Sequence, residues 1–153
     1  MAEIEFLGVT LSTGAFVGLV GSVAVAIALT IAVILARMHR GRYHHYIILG
    51  SFLFDELVVK AMMVSRLRVG MFGEFPYVDI GWMAPTHIAL AGVTTALGLA
   101  TIVVGFKFRT RKGDKMLMPP KGKKWHKPIG LLYVAFWFLS FFVGLYVFSS
   151  FYL

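Results

Sequence analysis

From Phe6 to Ala36 the chain carries no charged residue. Crossing the hydrocarbon of a bilayer takes about 20 apolar residues, so this run exceeds the requirement. It is also too long for a signal-peptide core of about 7–15 residues, and its leading "MAEIE" is acidic where a signal peptide is basic. The expectation is a retained first helix over 7–36, tilted or protruding because it outruns the membrane. Composition agrees: 59% of the 153 residues are hydrophobic and 14% are charged, more apolar surface than a soluble domain of this size can hide. Cysteine is absent, which excludes disulfides and thiolate metal sites.

Three further apolar runs, 43–65, 81–106 and 128–151, complete the expected architecture. It is all-α, an integral membrane four-helix bundle forming one transmembrane domain over 1–153. Barrel strands would be about 10 residues long with alternating polarity, and that pattern is absent. The last connection, "KFRTRKGDKMLMPPKGKKWHK", is rich in Gly, Pro and Lys and reads as a loop without a packed element.

Charge sets the direction. Arg37, Arg40 and Arg42 follow the first span, and nine Lys or Arg lie between Lys107 and Lys127. The middle connection balances Arg66 and Arg68 against Glu74 and Asp79, and the N-terminus has Glu3 and Glu5. Basic loops stay cytoplasmic, so the N-terminus and C-terminus are expected outside. Tyr43, Tyr46 and Trp125 fall at the inner boundary, and Tyr77, Trp82 and Tyr152 at the outer. The net charge of +8 therefore reads as headgroup and topology charge. No groove-reading motif is present, so no nucleic-acid partner is expected.

Small residues predict how the helices approach. Gly14, Gly18, Ser22, Ala26 and Thr30 recur every four residues in the first span, and Gly92, Ala96 and Ala100 give a shorter version in the third. Such faces let membrane helices pack closely, or belong to the general abundance of small residues there. The fourth span is crowded with aromatics, Tyr133, Phe136, Trp137, Phe138, Phe141, Phe142 and Tyr146, which serve as lipid and neighbour packing or as one wall of a planar cofactor pocket.

Charges inside the spans carry the functional signal. Asp55, Glu56 and Lys60 sit near the middle of the second span. Each isolated charge there costs at least about 2.5–3.5 kcal/mol. Glu56 and Lys60 are spaced i, i+4 and can neutralise each other, which leaves Asp55 in need of a proton or another partner. At about 1.5 Å per residue, Lys60 and His87 lie roughly 7 and 9 Å outward of the midplane, in one layer with Glu56 if the second and third helices are neighbours. The layer is a self-paired structural network, or a proton-relay, ion or cofactor site.

A second cluster lies at the cytoplasmic boundary. His44 and His45 open the second span and His126 precedes the fourth. Adjacent helical residues point about 100° apart, so one of His44 and His45 faces the bundle. That imidazole and His126 suit the axial pair of a haem b, with Arg42, Lys123 and Lys124 placed for propionates, or hold a transition metal directly. The alternative is a basic interfacial belt. His39 is expected in solvent. Met62, Met63, Met71 and Met83 gather toward the outer face, where thioethers suit copper or merely fill gaps. No nucleophile–base set, phosphate loop or metalloprotease helix is present.

The stretches "RYHHYIILGSFLF", "THIALAGVTTALGLATIVVGF" and "WHKPIGLLYVAFWFLSFFVGLYVF" resemble a prokaryotic family of four-helix membrane proteins, domain of unknown function 420, which includes CtaM-type oxidase maturation proteins. The family pattern matches at His44 or His45, at His87-Ile88-Ala89-Leu90-Ala91 and at His126-Lys127-Pro128-Ile129-Gly130. It covers about two thirds of the chain, from the second span onward. The family carries a further His at the outer end of the second helix, where this chain has Lys60, Met62, Met63 and Arg66. The resemblance implies a prokaryotic plasma membrane, respiratory oxidases, and haem or metal handling.

Together these features predict a membrane haem- or metal-binding protein of a respiratory chain, carrying electrons or assisting or belonging to a terminal oxidase-type complex, rather than an enzyme in its own right. Its partners are the lipid bilayer and a membrane protein complex or a second copy of itself. The competing expectations are a proton- or ion-coupled subunit using Asp55, Glu56 and Lys60 without a cofactor, and a purely structural subunit.

Overall fold

A computed structural model describes residues 3–6, 9–62, 82–112 and 115–152. In chain order these form β1 (Glu3–Phe6), β2 (Val9–Ser12), α1 (Thr13–Arg37), α2 (Gly41–Phe54), a π-helical turn (Asp55–Lys60), α3 (Met83–Phe108), β3 (Thr110–Lys112), β4 (Lys115–Leu117) and α4 (Pro120–Tyr152). Three helices are long and apolar enough to cross a membrane: Thr13–Arg37, Pro85–Phe108 and Pro120–Ser150. The fourth, α2, continues into the π turn, which carries three charged residues, Asp55, Glu56 and Lys60. The last three residues of that expected span, Met63 among them, and the connection holding Arg66, Arg68, Met71, Glu74, Tyr77 and Asp79 lie outside the described residues.

Helices dominate, as expected, and two short antiparallel hairpins accompany them. Residues expected to begin the first helix instead pair as an antiparallel hairpin, β1 with β2, and the helix starts at Thr13. The register explains it: Ile4 faces Leu11 and Phe6 faces Val9, while Glu3 and Glu5 meet Ser12 and Thr10. That is period-two alternation, which favours a strand with one apolar face. Leu11 is buried, and Phe6 meets Phe16 edge-on at 5.4 Å, so the hairpin is tied to the start of α1.

The basic connection also holds a packed element, against the sequence expectation. Strands β3 and β4 form a second hairpin, with Arg111 opposite Met116. Gly113-Asp114 between them is a residue pair that short hairpin connections favour. The hairpin abuts the start of α2 so closely that a Cβ on Gly41 would come within 2.6 Å of the Met116 carbonyl oxygen. Helix α4 then begins at Pro120, where a missing N–H costs nothing, and continues through Pro128.

The helices pair as two hairpins, α1 on α2 and α3 on α4, with α1 also packed on the π turn. Helix α1 ends in a tight cap: His39, exposed, takes φ 57°, and the Arg40 N–H bonds the Leu35 carbonyl. The buried stripe of α1 runs Gly18, Gly21, Val25, Leu29, Ala32, not along the four-residue series, and Thr30 is exposed. The reason is geometric. Steps of four drift by roughly 40° each around a helix, so a strict series leaves the contact face, whereas alternating three and four stays on it. Gly21 is the close-approach point, since a Cβ there would come to 2.8 Å from Val59 of the π turn. In α3, Gly92 and Ala96 are exposed, and Gly98 makes the close contact instead.

Val25, Leu29, Ile48, Phe52, Tyr133 and Trp137 fill the centre. Ser51, Asp55, Thr94, Thr101 and Ser140 are buried there too, while Ile27, Leu57, Val103, Leu131 and Phe142 point outward. An interior with polar groups and an apolar exterior suits lipid as the surrounding solvent.

Candidate functional site

Two polar layers lie inside the bundle. The first is built by the π turn. A turn closed i→i+5 brings residue i+5 over residue i while i+4 stays close. Lys60 therefore reaches both carboxylates: it pairs with Glu56 and lies 3.4 Å from Asp55 Oδ2. In a regular α-helix the adjacent pair Asp55 and Glu56 would splay apart from a single cation.

Helices α3 and α4 complete the layer. Lys60 Nζ donates to Thr95 Oγ1 at 2.7 Å, and Thr95 lies 2.9 Å from Glu56 Oε1. The Trp137 indole N–H donates to Asp55 Oδ2 at 3.1 Å. Asp55 is 4% exposed, so its buried carboxyl group needs both these neighbours as hydrogen-bond partners. His87 enters from α3, its Nδ1 3.1 Å from the Ser140 carbonyl. A carbonyl only accepts, so Nδ1 carries the proton and Nε2 of the neutral ring keeps its lone pair. Gly144 makes room for that ring, because a Cβ there would meet His87 Cε1 at 2.7 Å.

Asp55, Lys60 and His87 line one cavity of about 40 Å³, together with Ser22, Thr94 and Ser140. Glu56, expected beside His87, does not line that cavity and is turned toward Thr95.

The second layer joins the starts of α2 and α4. The rings of His44 and His126 meet edge-on, with centroids 6.2 Å apart and planes at 88°. His44 Nδ1 lies 2.8 Å from the Ala32 carbonyl at the end of α1, so it too donates and leaves Nε2 open. His45 turns the other way. Arg109 Nη1 donates to its Nε2 at 2.7 Å, which occupies the lone pair a metal would need. Its ring also packs on Phe106, as does the Arg109 guanidinium. His44 is therefore the bundle-facing member of the pair. His126 Nδ1 is buried near the Thr101 backbone, without a partner in hydrogen-bond geometry among the described residues, and Gly105 gives the ring its space, a Cβ there standing 3.3 Å from His126 Cε1.

The donor chemistry fits a metal or haem iron held by two imidazoles. Ligating histidines are commonly oriented by a carbonyl on the other ring nitrogen, which is what Ala32 supplies to His44. Among the described residues no three His, Asp or Glu side chains converge as a metal cage.

Comparison of the chain with protein-family models, curated proteins and solved structures finds no match. What the site does must be argued from its own chemistry.

Sequence reasoning missed Thr95, Ser140, Arg109 and the glycines at 105 and 144 as parts of these layers. It counted Trp137 only among aromatics that pack on lipid and neighbours or wall a cofactor pocket. A signal for Trp137 existed, because a buried indole N–H needs an acceptor and Asp55 needed a donor. The others act through backbone proximity or missing side chains, which leave no mark at sequence level.

Proposed function

We propose that all four helices cross the bilayer, with both termini outside, and that the chain binds haem or a transition metal between His44 and His126. In that role it serves a respiratory chain, carrying electrons or assisting or belonging to a terminal oxidase-type complex. The observation that carries this reading is the adjacent, perpendicular pair of imidazoles, 6.2 Å apart at their centroids and contributed by separate helical hairpins. The resemblance of the His-containing stretches to the domain of unknown function 420 family points the same way.

His44 Nε2 is the open donor from one hairpin, and His126 supplies the ring from the other. Arg42, Lys123 and Lys124 are exposed at the same end and offer positive charge to carboxylates at a headgroup boundary. One-electron exchange is the chemistry such a group supplies when bound. The Ala32 carbonyl fixes the His44 ring, and burial of His126 keeps competing water from that side.

Spectra of the purified protein, oxidised and reduced, with metal analysis, test the reading. The expected result is a haem absorption band or stoichiometric metal, lost in His44→Ala and in His126→Ala and kept in His45→Ala. A wild-type protein with neither haem absorption nor bound metal overturns it.

A further inference from the structure

We propose that the cavity beside the π turn is a hydrated proton-holding chamber, in which one proton is shared through water between Asp55 and His87 while Lys60 stays as the fixed countercharge. This stands apart from the His44–His126 pair and uses none of its residues.

The first support is space and lining. A water needs roughly 10–15 Å³ of such volume and two to four polar partners. The cavity offers about 40 Å³, room for two or three waters, and Asp55, Lys60, His87, Ser22, Thr94 and Ser140 share its largely apolar lining with Val59, Ala91, Trp137 and Phe141. The Ser22 and Thr94 hydroxyls spend their protons on their own helix, donating to the Gly18 and Ala91 carbonyls at 2.7 and 2.8 Å. Both oxygens therefore keep lone pairs with which to accept a further hydrogen bond. His87 spends its Nδ1 proton on the Ser140 carbonyl and presents Nε2 as an acceptor.

The second support is charge counting. Every titratable or charged group facing the site is accounted for among the described residues. The π turn brings Asp55, Glu56 and Lys60, α3 brings His87, α4 brings Tyr133, and α1 brings only Ser22. Two carboxylates and one ammonium sum to a single negative charge, which is costly in a lipid-surrounded interior. One added proton makes the cluster neutral. Glu56 is served at close range by Lys60 and Thr95, whereas Asp55 has the longer ion pair and faces the cavity. Asp55 is therefore the seat of that proton.

The transfer balances. An O–H bond on Asp55 breaks and an N–H bond on His87 Nε2 forms, with an intervening water passing the proton on and no electrons moving. Before transfer the set is neutral Asp55, Glu56 anion, Lys60 cation and neutral His87. Afterwards it is Asp55 anion, Glu56 anion, Lys60 cation and His87 cation. The total is zero in both states, so the step needs no net charge inside the bundle. The Trp137 N–H and Lys60 remain to hold the new Asp55 carboxylate.

Infrared spectroscopy of the full chain in an ester-free maltoside detergent tests this at neutral pH. The expected result is a protonated-carboxyl band that shifts on transfer to D2O and is lost in Asp55→Asn. In His87→Leu the shift on transfer is slower by about tenfold, the scale of one hydrogen bond lost from a relay. Gly144→Ala, which crowds the His87 ring, slows it in the same direction and serves if His87→Leu does not fold. A wild-type spectrum without such a band overturns the proposal, as does a band that survives Asp55→Asn. Exchange as fast as wild type in the His87→Leu or Gly144→Ala chain also overturns it.

Discussion

Replacing Lys60 by methionine tests the energetic logic of the interior. The side chain touches Glu56, Asp55 at 3.4 Å and Thr95 at 2.7 Å, and its removal leaves two carboxyl groups with no cation. Methionine matches the stem in length, so packing changes little. The Lys60→Met chain must either keep unmatched charge or protonate both acids, and removing one partner of a buried ionic set costs about 3–5 kcal/mol. For a chain of this size that is a fall of roughly 10 °C in the unfolding midpoint. Asp55→Asn with Glu56→Gln added to Lys60→Met leaves no charge to compensate and restores most of the loss, because a neutral, well-packed set is often as stable as the ionic one. Thermal unfolding in detergent micelles, followed by circular dichroism, measures both chains. A single variant within about 2 °C of wild type, or a triple variant no better than the single, refutes the reasoning.

Three further outcomes follow from contacts in the same layers. Gly98→Ala places a Cβ 2.5 Å from Phe52 Cε2 and 3.0 Å from Tyr133 Cε2, both on buried rings, and costs about 1–3 kcal/mol of unfolding free energy. Tyr133→Phe removes a hydroxyl that is buried without a partner among the described residues, on a residue 2% exposed, so the variant is expected to equal wild type or exceed it by up to about 1 kcal/mol in the same melt. Trp137→Phe keeps an aromatic ring against Phe141 but takes the N–H from Asp55, and the loss expected in chemical unfolding is about 0.5–1.5 kcal/mol, the net worth of a hydrogen bond to an uncharged carboxyl.

The sequence by itself determined the apolar helices, because an uncharged run of this length has no other stable form in lipid and its signal is additive along the chain. It also singled out Asp55, Glu56, Lys60 and the four histidines at 44, 45, 87 and 126, since charge and imidazole stand out against such a background. The first hairpin was legible in principle in the alternation of Glu3–Phe6, but the longer uncharged run masked a four-residue pattern. Only the tertiary structure decided the rest. Whether His44 or His45 faces His126 turned on Arg109, sixty-four residues from His45, and on the Ala32 carbonyl. That Lys60 serves both carboxylates depended on a widened turn that no residue pattern announces. That Asp55 meets Trp137 depended on where α4 crosses the π turn. These are non-local contacts, set by backbone spacing and by glycines that act through what they lack. A periodicity argument reads one helix at a time and cannot see them.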